Sequence, residues 1–177
     1  YLFHEYGSDK ANIFKYNRKL GHGYSIFYEK KIEKYKDKKI NILEIGSYAG
    51  ASAAAFVKYL PKAKVYCFDV NISNFRYKSK NIDVFGIDIN NQKDVEKTLN
   101  KIFLKEKISN FDLIIDDGSH FLSDILISLK FFFKHLKNSG LYVIEDFKYP
   151  NYYKYNNNIN HIFIDEFLNN IANKKLS

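Results

Sequence analysis

Four carboxylates follow two apolar runs of this chain. The run FDLIIDDGSH at residues 111–120 supplies Asp116, Asp117 and His120, and the run LYVIED at residues 141–146 supplies Glu145 and Asp146. An apolar run can be buried on both faces of a sheet, whereas several neighbouring carboxylates are costly unless a positive charge lies among them. A divalent cation is the simplest such charge. The two runs therefore predict a chemical site rather than a packing feature.

A second group of candidate residues begins with ILEIGSYAG at residues 42–50. Glycine at Gly46 and Gly50 would let the backbone approach a ligand closely, and Glu44 could meet a cationic or hydroxyl group. The next two apolar runs end in Asp69 and Asp88, and Asp69 follows Gly46 by 69 − 46 = 23 residues, near the offset of a ribose-binding acid. Three successive strand-end acids favour a nucleoside cofactor, although a tight turn without a ligand also explains the glycines.

The elements that must position these residues alternate along the chain. The alternation predicts an α/β fold of the Rossmann-like, doubly wound type, with a mostly parallel sheet and helices on both faces. In such a sheet ligands bind beyond the carboxyl ends of the strands, where all the acids above fall. The predicted strands are 40–45, 65–69, 82–87, 111–115 and 141–144, and the predicted helices are 24–35, 51–59, 92–105 and 122–136.

The 177 residues predict one domain without an internal linker. Its parts are an N-terminal helical segment at 1–38, a parallel α/β core at 39–146, and a loop with a helix at 147–177, where the loop covers 151–158 and the helix 161–173. We find no apolar run near the roughly 20 residues of a membrane span and no signal-peptide pattern at the start. The single cysteine, Cys67, agrees with a reducing compartment, so we expect a cytoplasmic protein.

The net charge of +8 raises nucleic acid as a partner. The positive charge is nearly all lysine, scattered along the chain, and Arg18 and Arg76 are the only arginines. Because arginine is preferred for reading bases and phosphates, a solvated lysine surface is the favoured interpretation over a nucleic-acid footprint.

The motifs ILEIGSYAG, CFD, GID and FDLIIDDGSH, in that order and spacing, resemble class I S-adenosylmethionine-dependent methyltransferases. More narrowly, GSDK at 7–10 followed by His22 and Tyr24, then DDGSH and LYVIEDF, resembles the metal-dependent sugar O-methyltransferases of the demethylmacrocin and mycinamicin type and their cephalosporin hydroxylase-like relatives. The resemblance covers roughly residues 6–175 and implies that the N-terminal segment covers the cofactor, with Asp9 and Lys10 nearby.

This resemblance also implies a role for each candidate residue. It assigns Mg²⁺ binding to Asp117, Glu145 and Asp146, and it makes His120 the general base, acting with Asp117 on the same oxygen. S-adenosylmethionine would be held by Glu44, Gly46, Ser47, Gly50, Asp69 and Asp88, with Asp116 on the cofactor side. Mg²⁺ prefers oxygen ligands and lowers the pKa of a hydroxyl that it binds, so the expected activity is methyl transfer to a hydroxyl of a small-molecule or glycan sugar.

Other interpretations stay open. Asp117 or Ser119 could simply cap the helix near 122, and Tyr24 and Tyr28 suit the core better than a substrate platform. Tyr48 stands where many methyltransferases have another glycine. The fold also usually ends in an antiparallel strand pair, which nothing after residue 175 supplies, so we expect a trimmed chain or a homo-oligomer at the fifth strand. A catalytically inactive cofactor-binding or assembly protein and a nucleic-acid methyltransferase are the alternative functions.

Overall fold

Five parallel strands form the sheet at the centre of the protein, in the order β3-β2-β1-β4-β5. The computed structural model describes residues 1–146, 166, 169–170 and 172–173. The order reverses between β1 and β4, so the predicted doubly wound, Rossmann-like α/β fold is confirmed. The strands are β1 Asn41–Ile45, β2 Lys64–Asp69, β3 Ile82–Gly86, β4 Phe111–Asp116 and β5 Leu136–Ile144, and the helices are α1 Leu2–Tyr6, α2 Ser25–Ile32, α3 Ala51–Tyr59, α4 Gln92–Glu106 and α5 Leu122–Phe132.

Alternate residues of the central strands point into two separate cores, one on each face of the sheet. Ile42 of β1 packs in the core that includes residues of α1, α2 and α3, whereas Leu43 packs in the core that includes α4 and Phe132 of α5. All six residues of β4 are buried. A strand covered on both faces needs a mostly apolar sequence, and FDLII supplies it apart from Asp112, whose carboxylate accepts from the N–H of Asn41 and from Lys137 Nζ.

The end of α5 and the start of β5 differ from the prediction. The helix ends at Phe132 rather than at residue 136, and a 3₁₀ turn, Phe133–His135, leads into a strand that begins at Leu136. An irregularity in the β4–β5 pairing separates the pairs Phe111 with Leu136 and Leu113 with Leu141. The residues between them, 137–140, are mostly exposed and polar, so apolar patterning did not identify them as strand.

The N-terminal segment contains the short helix α1, the helix α2 and a loop between them. A bridge between Ile13 and Leu20 closes the loop, and the backbone N–H of His22 donates to the carbonyl of Asp9 at 2.7 Å. The helix predicted at 24–35 is confirmed as α2 with the 3₁₀ turn Glu33–Tyr35, whereas α1 was not predicted. No helix in the described part of the chain is both long and apolar enough to cross a membrane.

The predicted loop at 151–158 lies outside the described residues. Of the helix predicted at 161–173 the structure describes five residues, of which 166, 169, 170 and 172 are helical.

Candidate active site

The carboxyl ends of β4 and β5 bring the predicted metal-site acids together. Asp116 of β4 is paired with Ile144 of β5, so Asp117 and Glu145 follow at the same edge of the sheet. Backbone hydrogen bonds fix the turns beyond the strands: the N–H of Glu145 donates to the carbonyl of Asp116 at 2.8 Å, and that of Asp117 donates to Ile45 at 2.9 Å. The predicted site is therefore built on buried strands.

Three side chains at this edge form a group that suits a divalent cation. Asp117, His120 and Asp146 each offer one ligand atom, and these atoms lie within 4.8 Å of one another. His120 and Asp146 lie at tight bends of the backbone, with φ angles of 60° and 54° in the left-handed region. Two partly buried carboxylates supply the oxygen ligands that Mg²⁺ prefers, so the residues fit the predicted ion.

Glu145, the third predicted ligand, faces a different set of partners. Its carboxylate is buried and accepts hydrogen bonds from Lys10 Nζ at 2.8 Å and from the hydroxyl of Tyr28. Lys10 Nζ also donates to Asp117 Oδ2. The positive charge that the sequence led us to expect among the acids is thus supplied, in this structure, by a buried lysine from the N-terminal segment. The role of Glu145 as a metal ligand stays a prediction.

Asp146 is held by two aromatic side chains of the same N-terminal segment. The hydroxyl of Tyr24 donates to Asp146 Oδ1 at 2.5 Å, and His22 Nδ1 lies 3.2 Å from Asp146 Oδ2. The rings of His22 and Tyr24 pack edge to face with their centroids 5.5 Å apart. This packing places both side chains against one carboxylate.

A role at the start of α5 accounts for Ser119 but not for Asp117. The N-cap of α5 is Phe121, whose backbone N–H donates to the hydroxyl oxygen of Ser119 at 3.3 Å. The Ser119 hydroxyl in turn donates to Asp124 at 2.5 Å, within the first turn of the helix. Asp117 has one oxygen at Lys10 and the other 4.0 Å from Nε2 of His120, so its carboxylate faces the site.

A cavity of about 490 Å³ lies beside these residues. Its volume falls within the range of small-molecule sites. Its wall is formed by the loop after β1 with the start of α3, the N-terminal segment, the segment between β2 and β3, and the DDGSH loop. Among the lining residues are Tyr6, Ser8, Lys10, Gly46, Ser47, Ser52, Arg76, Asp117 and His120. Of the predicted cofactor residues, Gly46 and Ser47 line this cavity.

The two glycines of ILEIGSYAG make room for protein atoms. A Cβ atom at Gly46 would overlap the backbone carbonyl of Asp117, and one at Gly50 would overlap the ring of Phe75. Both residues have positive φ angles, 82° and 77°. The contact between the loops after β1 and β4 is therefore enough to require Gly46, and close approach of a ligand to these glycines stays a prediction.

The other predicted cofactor acids lie at strand ends but have local partners. The carboxylate of Asp69 accepts from the N–H of Tyr48 at 2.7 Å and of Asn71 at 2.9 Å, and Asp88 accepts from the N–H of Asn90 at 2.9 Å. Glu44 is fully buried and accepts a hydrogen bond from Ser52, a residue of the cavity wall. Burial raises the pKa of Glu44 to about 7, even though Lys10 and Ser52 act to lower it.

Asp116 lies beneath the site. It is buried, and its Oδ2 has no hydrogen-bond partner in the described part of the protein. Burial raises the pKa of Asp116 to about 6. Its position under the DDGSH loop agrees with a supporting role more than with a ligand role.

Sequence reasoning underrated four residues that hold the acids: Lys10, His22, Tyr24 and Tyr28. Their partners lie more than 100 positions away, so no local pattern indicates them. For Lys10, His22 and Tyr24 the signal was their place in GSDK and in HGY at 22–24, which the resemblance singled out, whereas Tyr28 showed only its helical spacing from Tyr24.

Solved structures share this fold. The MycE methyltransferase from the mycinamycin biosynthetic pathway, in complex with Mg, SAH and mycinamycin VI, superimposes with a TM-score of 0.67 at 24% identity, over 82% of this chain and 36% of that chain. A structure described as cmcI-D160 Mg-SAM gives a TM-score of 0.52 at 18% identity, over 73% of this chain and 54% of that one. At these identities the likeness shows the fold alone.

Curated proteins are also similar to this chain in sequence. The L-olivosyl-oleandolide 3-O-methyltransferase of Streptomyces antibioticus is 31% identical over 132 residues, which is 71% of this chain and 32% of that protein. The mycinamicin VI 2''-O-methyltransferase of Micromonospora griseorubida is 27% identical over 136 residues, 71% of this chain and 31% of that protein. The chain thus spans about a third of the length of these relatives. Residues 28–163, most of the chain, match the FtsJ-like methyltransferase family, and the protein belongs to that family.

Proposed function

We propose that this protein is an S-adenosylmethionine-dependent O-methyltransferase that uses Mg²⁺ and acts on a sugar hydroxyl. The observation that supports this most directly is the convergence of Asp117, His120 and Asp146 beside the 490 Å³ cavity. The sugar as acceptor is supported by the relatives, which are named for O-methylation of glycosylated natural products.

The cofactor site of the proposal lies along the loop after β1. Gly46 and Ser47 would face the methionine part of S-adenosylmethionine from the cavity wall, and Glu44 supports that wall through Ser52. Asp69 and Asp88, at the ends of the next two strands, remain the candidates for the ribose and adenine ends, as expected for this topology. Gly50 and Asp116 support the site from behind, at Phe75 and under the DDGSH loop.

Asp117 and Asp146 are the proposed Mg²⁺ ligands, with Glu145 adjacent. When bound, the ion would supply positive charge that makes a sugar hydroxyl more acidic. His120 lies at the mouth of the same group with its ring about one third exposed, so it can accept the hydroxyl proton. Asp117 Oδ1 lies 4.0 Å from His120 Nε2, so its negative charge would stabilise the imidazolium that forms when the ring accepts the proton. The deprotonated hydroxyl would then attack the methyl group in line with its bond to sulfur.

The experiment compares Asp117→Asn and His120→Ala with the wild type in transfer of a labelled methyl group to sugar-bearing acceptors. We expect each variant to lose about 10²-fold to 10⁴-fold in rate, the range for loss of a general base. Binding of S-adenosylmethionine, measured by calorimetry, should persist, because neither substitution removes the wall at Gly46 and Ser47. The control is Asp112→Asn, which changes a carboxylate near the opposite end of the same strand.

Full activity in both site variants would show that the proposed mechanism is wrong. Tight cofactor binding by the wild type, with no transfer to any sugar acceptor, would favour the cofactor-binding or assembly role instead. Transfer to RNA or DNA, with salt-dependent binding, would favour the nucleic-acid alternative.

A further inference from the structure

Arg76 is a cationic residue of the cavity wall. Two long cationic side chains, Lys10 and Arg76, belong to the residues that line the cavity of about 490 Å³. Lys10 forms ion pairs with Asp117 and Glu145. Arg76 is exposed, and among the residues that the structure describes its guanidinium has no carboxylate in ion-pair contact and no side-chain hydrogen bond. Its charge is therefore available to a molecule in the cavity.

The residue type at this position suits a particular class of ligand group. Arg18 and Arg76 are the only arginines of the chain, and Arg18 is not among the residues that line the cavity. A guanidinium offers its N–H donors in a planar fork that matches two oxygens of a carboxylate or a phosphate, which an ammonium group cannot do. Arg76 thus brings an oxyanion-binding group to the cavity wall.

The backbone on both sides of Arg76 is held by two different parts of that wall. Its own N–H donates to the carbonyl of Ala49 at 3.1 Å, and the ring of Phe75 packs against the N-cap of α3. On the other side the hydroxyl of Tyr77 donates to the carbonyl of Tyr6 at 2.6 Å, and the two rings pack edge to face. Because the backbone is already fixed, binding a ligand through the guanidinium orders only the side chain.

Two molecules of the proposed reaction could bring an oxyanion into the cavity. The methionine part of S-adenosylmethionine ends in a carboxylate, and the loop after β1, which contains Ala49, is the proposed wall for that part. A sugar acceptor can instead carry a phosphate, as a nucleotide-linked sugar does. Both groups present negatively charged oxygens to the same guanidinium fork.

We propose that Arg76 recognises an oxyanion, a carboxylate or a phosphate, of a molecule bound in this cavity. The identity of that molecule rests on the proposed function, whereas the oxyanion site itself can be tested separately. Arg76 is then a specificity residue, which selects ligands that carry the group over analogues that lack it.

The first part of the test uses calorimetry with two adenosine ligands. S-adenosylhomocysteine carries the carboxylate, whereas methylthioadenosine has the same adenosine and thioether without the amino-acid group. If Arg76 binds the carboxylate of the cofactor, Arg76→Gln should weaken binding of S-adenosylhomocysteine by about 10-fold to 100-fold and leave binding of methylthioadenosine within about twofold, because a hydrogen-bonded charge partner is lost. Arg76→Lys keeps the charge without the fork and should give a smaller loss.

The second part measures binding of inorganic pyrophosphate without divalent cations, with and without S-adenosylhomocysteine. If the oxyanion belongs to the acceptor, the wild type binds pyrophosphate, and Arg76→Gln should weaken that binding by about tenfold or more while its affinity for S-adenosylhomocysteine stays unchanged. Lys78→Gln is the matched control for both parts, because it removes an exposed positive charge of the same segment at a residue that does not line the cavity.

Failure of this inference can be told apart from failure of the proposed function. If the wild type binds S-adenosylhomocysteine and methylates sugars, but Arg76→Gln changes neither affinity or changes them no more than Lys78→Gln does, the role of Arg76 is wrong and the proposed function stands. If the wild type binds no S-adenosylhomocysteine, the proposed function is wrong, and absence of pyrophosphate binding would then overturn the oxyanion site as well. Urea unfolding of Arg76→Gln should match the wild type, since the side chain is exposed.

Discussion

The acids at the ends of β1, β2 and β3 differ from those at the ends of β4 and β5 in where their partners come from. Glu44, Asp69 and Asp88 are bound by groups at most 23 residues away, such as Ser52, Cys67 and the backbone N–H of Tyr48. Glu145 and Asp146 are bound by side chains 117 to 135 residues away, all from the N-terminal segment. The first group shapes its own loops, whereas the second is held only when distant parts of the chain have assembled.

The sheet edge therefore has two halves, a local half at the ends of β1, β2 and β3 and a remote half at the ends of β4 and β5, which are held by different parts of the chain. The hydrogen-bond partners of Glu44, Asp69 and Asp88 lie within their own half of the sheet edge, although the N-terminal segment also touches this half, where the Tyr77 hydroxyl donates to the carbonyl of Tyr6 at 2.6 Å. Remote partners make the charged group at β4 and β5 depend on the fold of residues 10–28. The two halves meet where Gly46 contacts the backbone of Asp117.

The largest effect is expected where the two halves touch. In Gly46→Ala the added methyl group would overlap the carbonyl of Asp117, and the residue would keep a φ of 82° that side chains disfavour. Backbone atoms on both sides cannot move without disturbing β1 or β4. We expect the free energy of unfolding, measured with urea, to fall by about 4 kcal/mol or more, among the large effects of single substitutions.

Gly86→Ala is the matched control for that substitution. Gly86 ends β3, and a Cβ there would lie 3.9 Å from Ile72, an ordinary contact. We expect Gly86→Ala to lower the free energy of unfolding by no more than about 1 kcal/mol. If the two substitutions lowered the free energy of unfolding equally, the contact between the loops after β1 and β4 would not be tight. Gly46 would then not mark the place where the two halves of the sheet edge meet.

The same contrast explains what the sequence could predict. The β4 strand and the acids that follow it were predictable because FDLII is apolar apart from Asp112 and is followed directly by DD. The polar start of β5 at 137–140 was not, since its pairing is irregular and its side chains are exposed. The candidate acids could be read from strand ends, but the identity of Lys10 and Tyr28 as their partners depends on tertiary packing across the whole described core.

Glu44 provides a test of the local half through pH. Its pKa rises from an ordinary value of 4.5 to about 7 on folding. The folded state therefore holds an extra proton between these values, and stability must fall as pH increases through them, by about 1.4 kcal/mol per pH unit. Glu44→Gln cannot lose a proton and keeps an acceptor for Ser52. The stability of the wild type relative to this variant should thus decrease by about 3 kcal/mol from pH 4.5 to pH 7.

Urea unfolding of both proteins across this pH range measures that difference. Exposed Glu29→Gln serves as the control for removal of one surface carboxyl group. If the difference in free energy of unfolding between the wild type and Glu44→Gln did not change with pH, burial would not raise the pKa of Glu44 in the folded protein.

The smallest expected effect tests the remote half, through a single hydroxyl group. Tyr28→Phe keeps the buried ring, which packs edge to face against Phe3 and Phe56, but removes the hydrogen bond to Glu145. A buried carboxylate oxygen left without its donor costs about 1–3 kcal/mol, so we expect a decrease of about 2 kcal/mol in the free energy of unfolding.

Tyr35→Phe is the control, because Tyr35 is also buried but its hydroxyl makes a long hydrogen bond of 3.4 Å to the carbonyl of Ser139. That variant should lose less than about 1 kcal/mol. If Tyr28→Phe were no more costly than Tyr35→Phe, the hydroxyl would not stabilise Glu145. The N-terminal segment would then hold the acids through Lys10, His22 and Tyr24, and the dependence of the charged group on remote partners would narrow to those three side chains.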